Sequence, residues 1–308
     1  MRSSFAIFLI LLTALAASGC NPKTTSDELN VSKNGLSRQS SKLIQTIVDD
    51  RGKTFTITSE PKRIVSLTPS GTEILFALGL GDRVVGVTRW CDYPADAKSR
   101  AQVGDVNISV EKVVSLEPDL VLAHATLNDS VIRQLERLGK TVIALDPSTI
   151  EEVRLNISLV GQACGRTLQA DDLNSRNEAI IEQVSEISKG KAGLRTMVVI
   201  QPNPLWVAGP NTFIDEMLSI CNAQNIAHDA RKRFNTFPVE RALARDPEVI
   251  IVGRDNERDF FLNSPVWKNT SAVRSGRVVV INPDLLVRPG PRLTEGLEKL
   301  AEAVDIDD

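Results

Sequence analysis

Residues 109–123 read S-V-E-K-V-V-S-L-E-P-D-L-V-L-A, and residues 238–252 read P-V-E-R-A-L-A-R-D-P-E-V-I-I-V. Val110 and Glu111 recur as Val239 and Glu240, Pro118 recurs as Pro247, and an acid flanks each proline on both sides: Glu117 and Asp119, then Asp246 and Glu248. Each copy reads as a short helix, a proline-bearing turn and an apolar run long enough for one buried strand. The copies lie too far apart for a solenoid period and instead mark a duplicated lobe. Two similar lobes imply a cleft between them.

Outward from the first copy, Arg63 to Leu67 reads as a buried strand, Thr68-Pro69-Ser70-Gly71 as a turn, and Thr72 with Glu73 as the opening of a helix that Gly79 stops. Strands at Arg83 to Val87 and Thr141 to Leu145 flank a helix at Ser130 to Leu138. From Arg195 the order repeats, with helices at Thr212 to Cys221 and Leu293 to Val304 and strands at Val249 to Val252 and Arg277 to Ile281. Strands alternating with helices predict two α/β lobes with largely parallel sheets. Ahead of them, two short alternating runs around Asp49-Asp50-Arg51-Gly52 read as a β-hairpin. Residues 148–190 show no strand pattern. Val153, Ile157, Val160, Cys164 and Leu168 keep helical spacing, so the stretch predicts one long connecting helix that tolerates Gly161 and Gly165 at about 1 kcal/mol each. A stiff helical link predicts cleft closure of small amplitude.

The first 19 residues stand apart: Arg2 supplies a positive start, Phe5 to Ala17 an apolar core of signal-peptide length, too short for a membrane span, and Ala17-Ser18-Gly19-Cys20 resembles a bacterial lipobox. This predicts an exported protein, lipid-anchored through Cys20 on a periplasmic or extracytoplasmic face. Residues 20–43, rich in Ser, Thr, Asn and Lys, predict a flexible tether. The predicted division is a signal peptide (1–19), a tether (20–43), an N-terminal lobe (44–147), a connecting helix (148–190) and a C-terminal lobe (191–308). The net charge of −3 argues against a nucleic-acid partner. Beyond Cys20, three cysteines allow one disulfide and leave one thiol over.

With only two histidines and no C-x-x-C spacing, a three-histidine site for a bare metal ion is excluded, and the ligand is expected to be a chelate. Gly79-Leu80-Gly81 follows a helix and is no phosphate loop, and no nucleophile elbow or Ser-His-Asp set is present, so no enzymatic activity or cofactor is expected. Trp90 and Tyr93 lie in a loop after a strand, where α/β sheets place ligand contacts. Trp206 follows Pro204 at a strand end, Phe234 and Phe237 sit in R-K-R-F-N-T-F, and Asp284-Leu285-Leu286-Val287-Arg288 follows the last strand of the second lobe. His124 ends the strand of the first repeat, within reach of the cleft.

Several stretches together carry a family resemblance: P-K-R-I-V-S-L-T-P-S-G-T-E-I-L-F-A-L-G at 61–79, V-V-G-V-T-R-W-C-D-Y-P at 84–94, both V-E copies, P-L-W-V-A-G-P-N-T-F-I-D-E at 204–216 and R-P-G-P-R-L at 288–293. The chain resembles the substrate-binding proteins of ABC importers for iron chelates, haem and cobalamin, and is most similar to the vitamin B12-binding members. The resemblance implies two α/β lobes joined by one long helix, the helical-backbone class of periplasmic binding protein. It implies a monomer that holds a corrinoid in the interlobe cleft and delivers it to a permease and its ATPase; a ferric siderophore or haem on the same fold is the alternative. By this likeness Trp90, Phe234, Asp284 and Arg288 occupy ligand-contacting positions, Leu285 and Leu286 replace bulkier aromatics, and Glu111 and Glu240 pair with permease arginines.

Overall fold

A proline with an acid on either side closes each copy of the repeat, and the structure shows what those acids do. The computed structural model describes residues 45–305. The expected signal, tether and lipidation site at Cys20 lie outside the described residues. A hairpin of β1 (Gln45–Val48) and β2 (Thr54–Ile57) opens the described chain. Then follow β3 (Ile64–Ser66), α1 (Pro69–Ala77), β4 (Val84–Val87), β5 (Ala101–Gln102), α2 (Val110–Ser115), β6 (Leu120–His124), α3 (Asp129–Arg137) and β7 (Val142–Leu145). Helices α4 (Ile150–Ala163) and α5 (Thr167–Ser188) lead to β8 (Arg195–Gln201), β9 (Trp206–Ala208), α6 (Phe213–Ile220), β10 (Gln224–Asn225), β11 (Phe234–Thr236) and α7 (Val239–Arg245). The chain ends with β12 (Val249–Val252), α8 (Asp255–Asn263), α9 (Ser271–Arg274), β13 (Val278–Val280), α10 (Pro283–Val287) and α11 (Leu293–Val304).

The first sheet runs β5-β4-β3-β6-β7, all parallel. The second runs β11-β9-β8-β12-β13, with β10 beside β8. In both, the strand of the repeat, β6 or β12, lies next to the central strand, β3 or β8. The acid after the proline fixes that register. Asp119 accepts from the backbone N–H groups of Lys62 and Arg63 at 2.8 and 3.0 Å, and Glu248 accepts from that of Arg195 at 3.0 Å. In return the Arg63 side chain donates to the Leu116 carbonyl, and the Arg195 side chain to the Arg245 and Asp246 carbonyls. One arginine per lobe thus caps the end of the repeat helix, whose last carbonyls would otherwise lack donors.

Two departures from the expected fold have local causes. In the second lobe β9 runs antiparallel to β8, because the few residues between them are too short for the crossover a parallel pair needs. The predicted single connecting helix is a pair: α4 ends at Cys164, Gly165 turns with φ of 68°, and α5 packs back antiparallel. Ala170 lies over Gly161, and Asn174 Nδ2 reaches the Arg154 carbonyl and Ser158 Oγ at 3.1 and 2.9 Å. A Cβ at Gly165 would meet the Glu60 carboxylate at 2.8 Å, so the break is held by tertiary packing as well as by the left-handed turn. α4 packs on the first lobe and α5 on the second, against α6 and α11, and one apolar core runs through both.

No disulfide forms among Cys91, Cys164 and Cys221; all three are buried free thiols. Burial pushes Cys164 and Cys221 up to about 12. In protein carrying Cys20→Ser, Ellman's reagent is therefore expected to label no thiol in the native state and all three after denaturation. Rapid labelling without denaturant would show that one of these sites opens.

Candidate functional site

Parallel strands converge with their C-terminal ends on one edge, and there the loops of both sheets face each other. After β3, Thr68 Oγ1 accepts from the Gly71 N–H at 3.1 Å and caps α1; a Cβ at Gly71 would meet that oxygen at 2.8 Å and displace the cap. β4 delivers Trp90, β6 delivers His124, and β7 delivers Asp146 and Pro147. From the second lobe come Pro210 and Asn211 after β9, the loop 230–233 before β11, Phe234, Val287 at the end of α10, and Arg288 and Pro289 after it. These residues enclose two adjoining cavities of about 720 and 480 Å³ that share His124, Leu127, Pro147, Val287 and Pro289. The cleft is thus one continuous space.

Of the nine residues predicted to bind ligand, Trp90, Phe234, Val287 and Arg288 line this space. Trp90 is half exposed, with the Arg89 guanidinium 5.0 Å from its ring centroid and Arg89 ion-paired to Asp105. The other five are not among the residues lining these two cavities. Tyr93 stays exposed, with the Arg292 guanidinium stacked 3.7 Å from its ring centroid. Trp206 begins β9, at the end away from Gly209 and Pro210, where the strand enters the cleft. Leu286 is buried in the core, Leu285 lies against α11 at Gly296, and Asp284 is ion-paired to Arg288. Of the remaining aromatics, Phe237 plugs the core of the second lobe, and Trp267 is buried edge-on against Phe261 at 4.9 Å.

Arg288 joins the cleft to a charge network that crosses between the lobes. It binds Asp92 at 2.8 Å, Asp284 at 2.9 Å and Glu73 at 3.3 Å, and Arg292 binds Glu73 at 2.7 and 2.9 Å. The Glu73 side chain is 1% exposed and both arginines 11%. Burial opposes the charge on Arg288, yet its pKa is raised because the bonds to Asp92 and Asp284 outweigh that cost.

His124 faces the cleft from a fixed ring. Nδ1 accepts from the backbone N–H groups of Thr126 and Leu127, both at 3.3 Å, and Nε2 lies 3.6 Å from Asp146. Burial lowers its pKa, against the pull of Asp146 and Asp50. What the reading of residue types missed is Arg231-Lys232-Arg233, which lines the larger cavity beside Phe234. The loop is placed by the Gly209 N–H, which donates to the Arg233 carbonyl at 2.6 Å, and a Cβ at Gly209 would meet the Lys232 oxygen at the same distance. Among the described residues no group of three or more His, Cys, Asp or Glu is arranged to hold a metal ion, and no helix is long and apolar enough to cross a membrane.

Comparison with known proteins agrees with this geometry. Residues 64–285 match the periplasmic binding protein family. The uncharacterized ABC transporter substrate-binding lipoprotein YvrC of Bacillus subtilis is 36% identical over 306 residues, covering 96% of this chain and 95% of its own. The vitamin B12-binding protein of Pectobacterium carotovorum is 28% identical over 76% of this chain and 84% of its own. The apo structure of the periplasmic heme-binding protein RhuT from Roseiflexus superposes with a TM-score of 0.71 at 29% identity, over 79% of this chain and 97% of that one. The chain therefore belongs to the periplasmic binding protein family. It is a substrate-binding protein of the ABC-transporter type.

Proposed function

We propose that the protein is the lipid-anchored receptor of an ABC importer, tethered through Cys20 outside the cytoplasm, that holds one metal chelate between its lobes and presents it to a permease and ATPase. The observation that carries this reading is the continuous cleft of about 720 and 480 Å³, with Trp90, Leu127 and Val106 exposed along its first-lobe wall. A space of this size, walled by an indole and aliphatic side chains, suits the face of a flat macrocycle better than a small polar solute. A corrinoid is the favoured ligand, supported by the likeness to the vitamin B12-binding proteins. The three basic side chains at 231–233 favour a second reading, haem or a ferric siderophore. The protein works as a monomer, with Glu111 and Glu240 as its docking points on the permease.

The test is titration with cyanocobalamin, haem and ferric siderophores, followed by Trp fluorescence and by melting temperature. At least one chelate is expected to quench the indole signal and to raise Tm by mass action. Trp90→Ala should weaken that chelate by about 10-fold or more, the loss expected on removing a large buried aromatic contact. If no chelate changes either signal, the proposal fails.

A further inference from the structure

The two walls of the cleft are chemically unlike. On the first-lobe side Val106, Leu127 and Trp90 present apolar surface, with Val106 81% and Leu127 79% exposed; Asp105 lines the same wall but is ion-paired to Arg89. On the second-lobe side three consecutive basic residues, Arg231, Lys232 and Arg233, face the larger cavity, where Asp146 is the one acidic residue in the lining. Asp146 is engaged by Thr126 Oγ1 at 2.5 Å and lies beside His124. The nearest acid along the loop, Asp229, turns away to Arg241 and Arg245, whose bonds, Arg245 first, hold its carboxyl down to about 2. Among the described residues Arg231, Lys232 and Arg233 have no carboxylate within 4.0 Å; Arg233 instead reaches across the cleft to Ser148 Oγ.

Three exposed like charges on a backbone pinned at Gly209 repel one another, and no neighbouring carboxylate among the described residues offsets them. Resting on the receptor function above, we infer that the cargo is an anionic chelate: its flat face lies on the Trp90 and Leu127 wall, and an acidic edge of two or more carboxylates or phenolates is read by Arg231, Lys232 and Arg233. Charge-assisted hydrogen bonds to such an edge are stronger than neutral ones, and the planar guanidinium forks match carboxylate geometry. The loop therefore sets both the sign of the cargo's charge and its orientation.

Matched ligands that differ only at the edge test this: ferric protoporphyrin IX against its dimethyl ester, and a cobalamin dicarboxylic acid against cyanocobalamin. The acid of at least one pair is expected to bind about 10-fold tighter or more, and the advantage to shrink as salt rises. Arg231→Gln, Lys232→Gln and Arg233→Gln together should bring acid and neutral partner to within about 2-fold, with the acid losing about 5-fold more affinity than the neutral partner or more. Lys232→Gln alone, at a side chain with no contact to lose, should narrow the gap part of the way even if the triple variant folds poorly. Equal binding within both pairs, or equal loss of acid and neutral ligand in the variants, overturns the charge inference while the receptor function stands. If only a ferric siderophore binds, the same variants should weaken it about 10-fold or more, and an unchanged Kd overturns the charge inference; if no chelate binds, both fall.

Discussion

Glu73→Ala is expected to lower stability by about 3–5 kcal/mol, the cost of removing one partner from a buried ion pair, and to lower Tm by about 6–20 °C for a domain of this size. Among the described residues Glu73 is the sole carboxylate bound by Arg292, and both side chains are nearly inaccessible. Truncation strands a buried guanidinium, held at a raised pKa by its bond to Glu73 first and against the cost of burial. Arg288 loses less, because Asp92 and Asp284 remain. Glu73→Ala combined with Arg292→Met should recover part of the loss, since no orphan charge remains and the methionine covers the Tyr93 ring. Thermal melts of the four proteins in the cycle decide it. A loss under about 1 kcal/mol for Glu73→Ala would show that water reaches Arg292 and that the network does not hold the lobes together.

The position of Glu73 also shows where the amino-acid order stops being legible. In sequence it reads as an acid opening a helix, a residue type that suits a helix N-terminus whatever surrounds it; α1 in fact begins at Pro69, which sets Glu73 a turn further in, and its partners lie over two hundred residues away, across the lobe boundary. The repeat was legible because its information is local: period, proline and acids sit together, and the structure adds only Arg63 and Arg195 as the shared partners of Asp119 and Glu248. The break between α4 and α5 was not legible. Gly165 is tolerable inside a helix, and what turns the chain is the packing of Ala170 on Gly161. At the cleft, residue type alone cannot tell an aromatic in the cleft wall from one that serves the fold. Phe234 and Trp206 lie on paired antiparallel strands, yet only Phe234 lines the cavity. The basic triad beside Phe234 was plain in R-K-R-F-N-T-F, but a net charge of −3 says nothing about where the positive charge collects.

Removing both repeat glutamates, Glu111→Ala with Glu240→Ala, is expected to abolish uptake while leaving the Kd for the chelate unchanged. Both carboxylates are exposed in the first turn of their helices, α2 and α7, and neither lines the cleft. Each follows a cleft-lining residue within a few positions, Val106 on one lobe and Phe234 on the other, so each lobe carries one such carboxylate on the segment that leaves the cleft. A helix-dipole role alone is worth about 0.3–1 kcal/mol per residue, too little to unfold the protein or to move a ligand equilibrium at the cleft. If the two instead meet permease arginines at a desolvated contact, each lost pair costs about 2–5 kcal/mol, and the two together weaken docking by about a thousandfold or more. Single variants should fall between, and reversing both charges should be rescued only by opposite reversal on the permease. Uptake by cells or proteoliposomes, with chelate binding measured in parallel, separates the cases. Retained uptake in the double variant would leave the duplicated glutamates with a helix-dipole role alone.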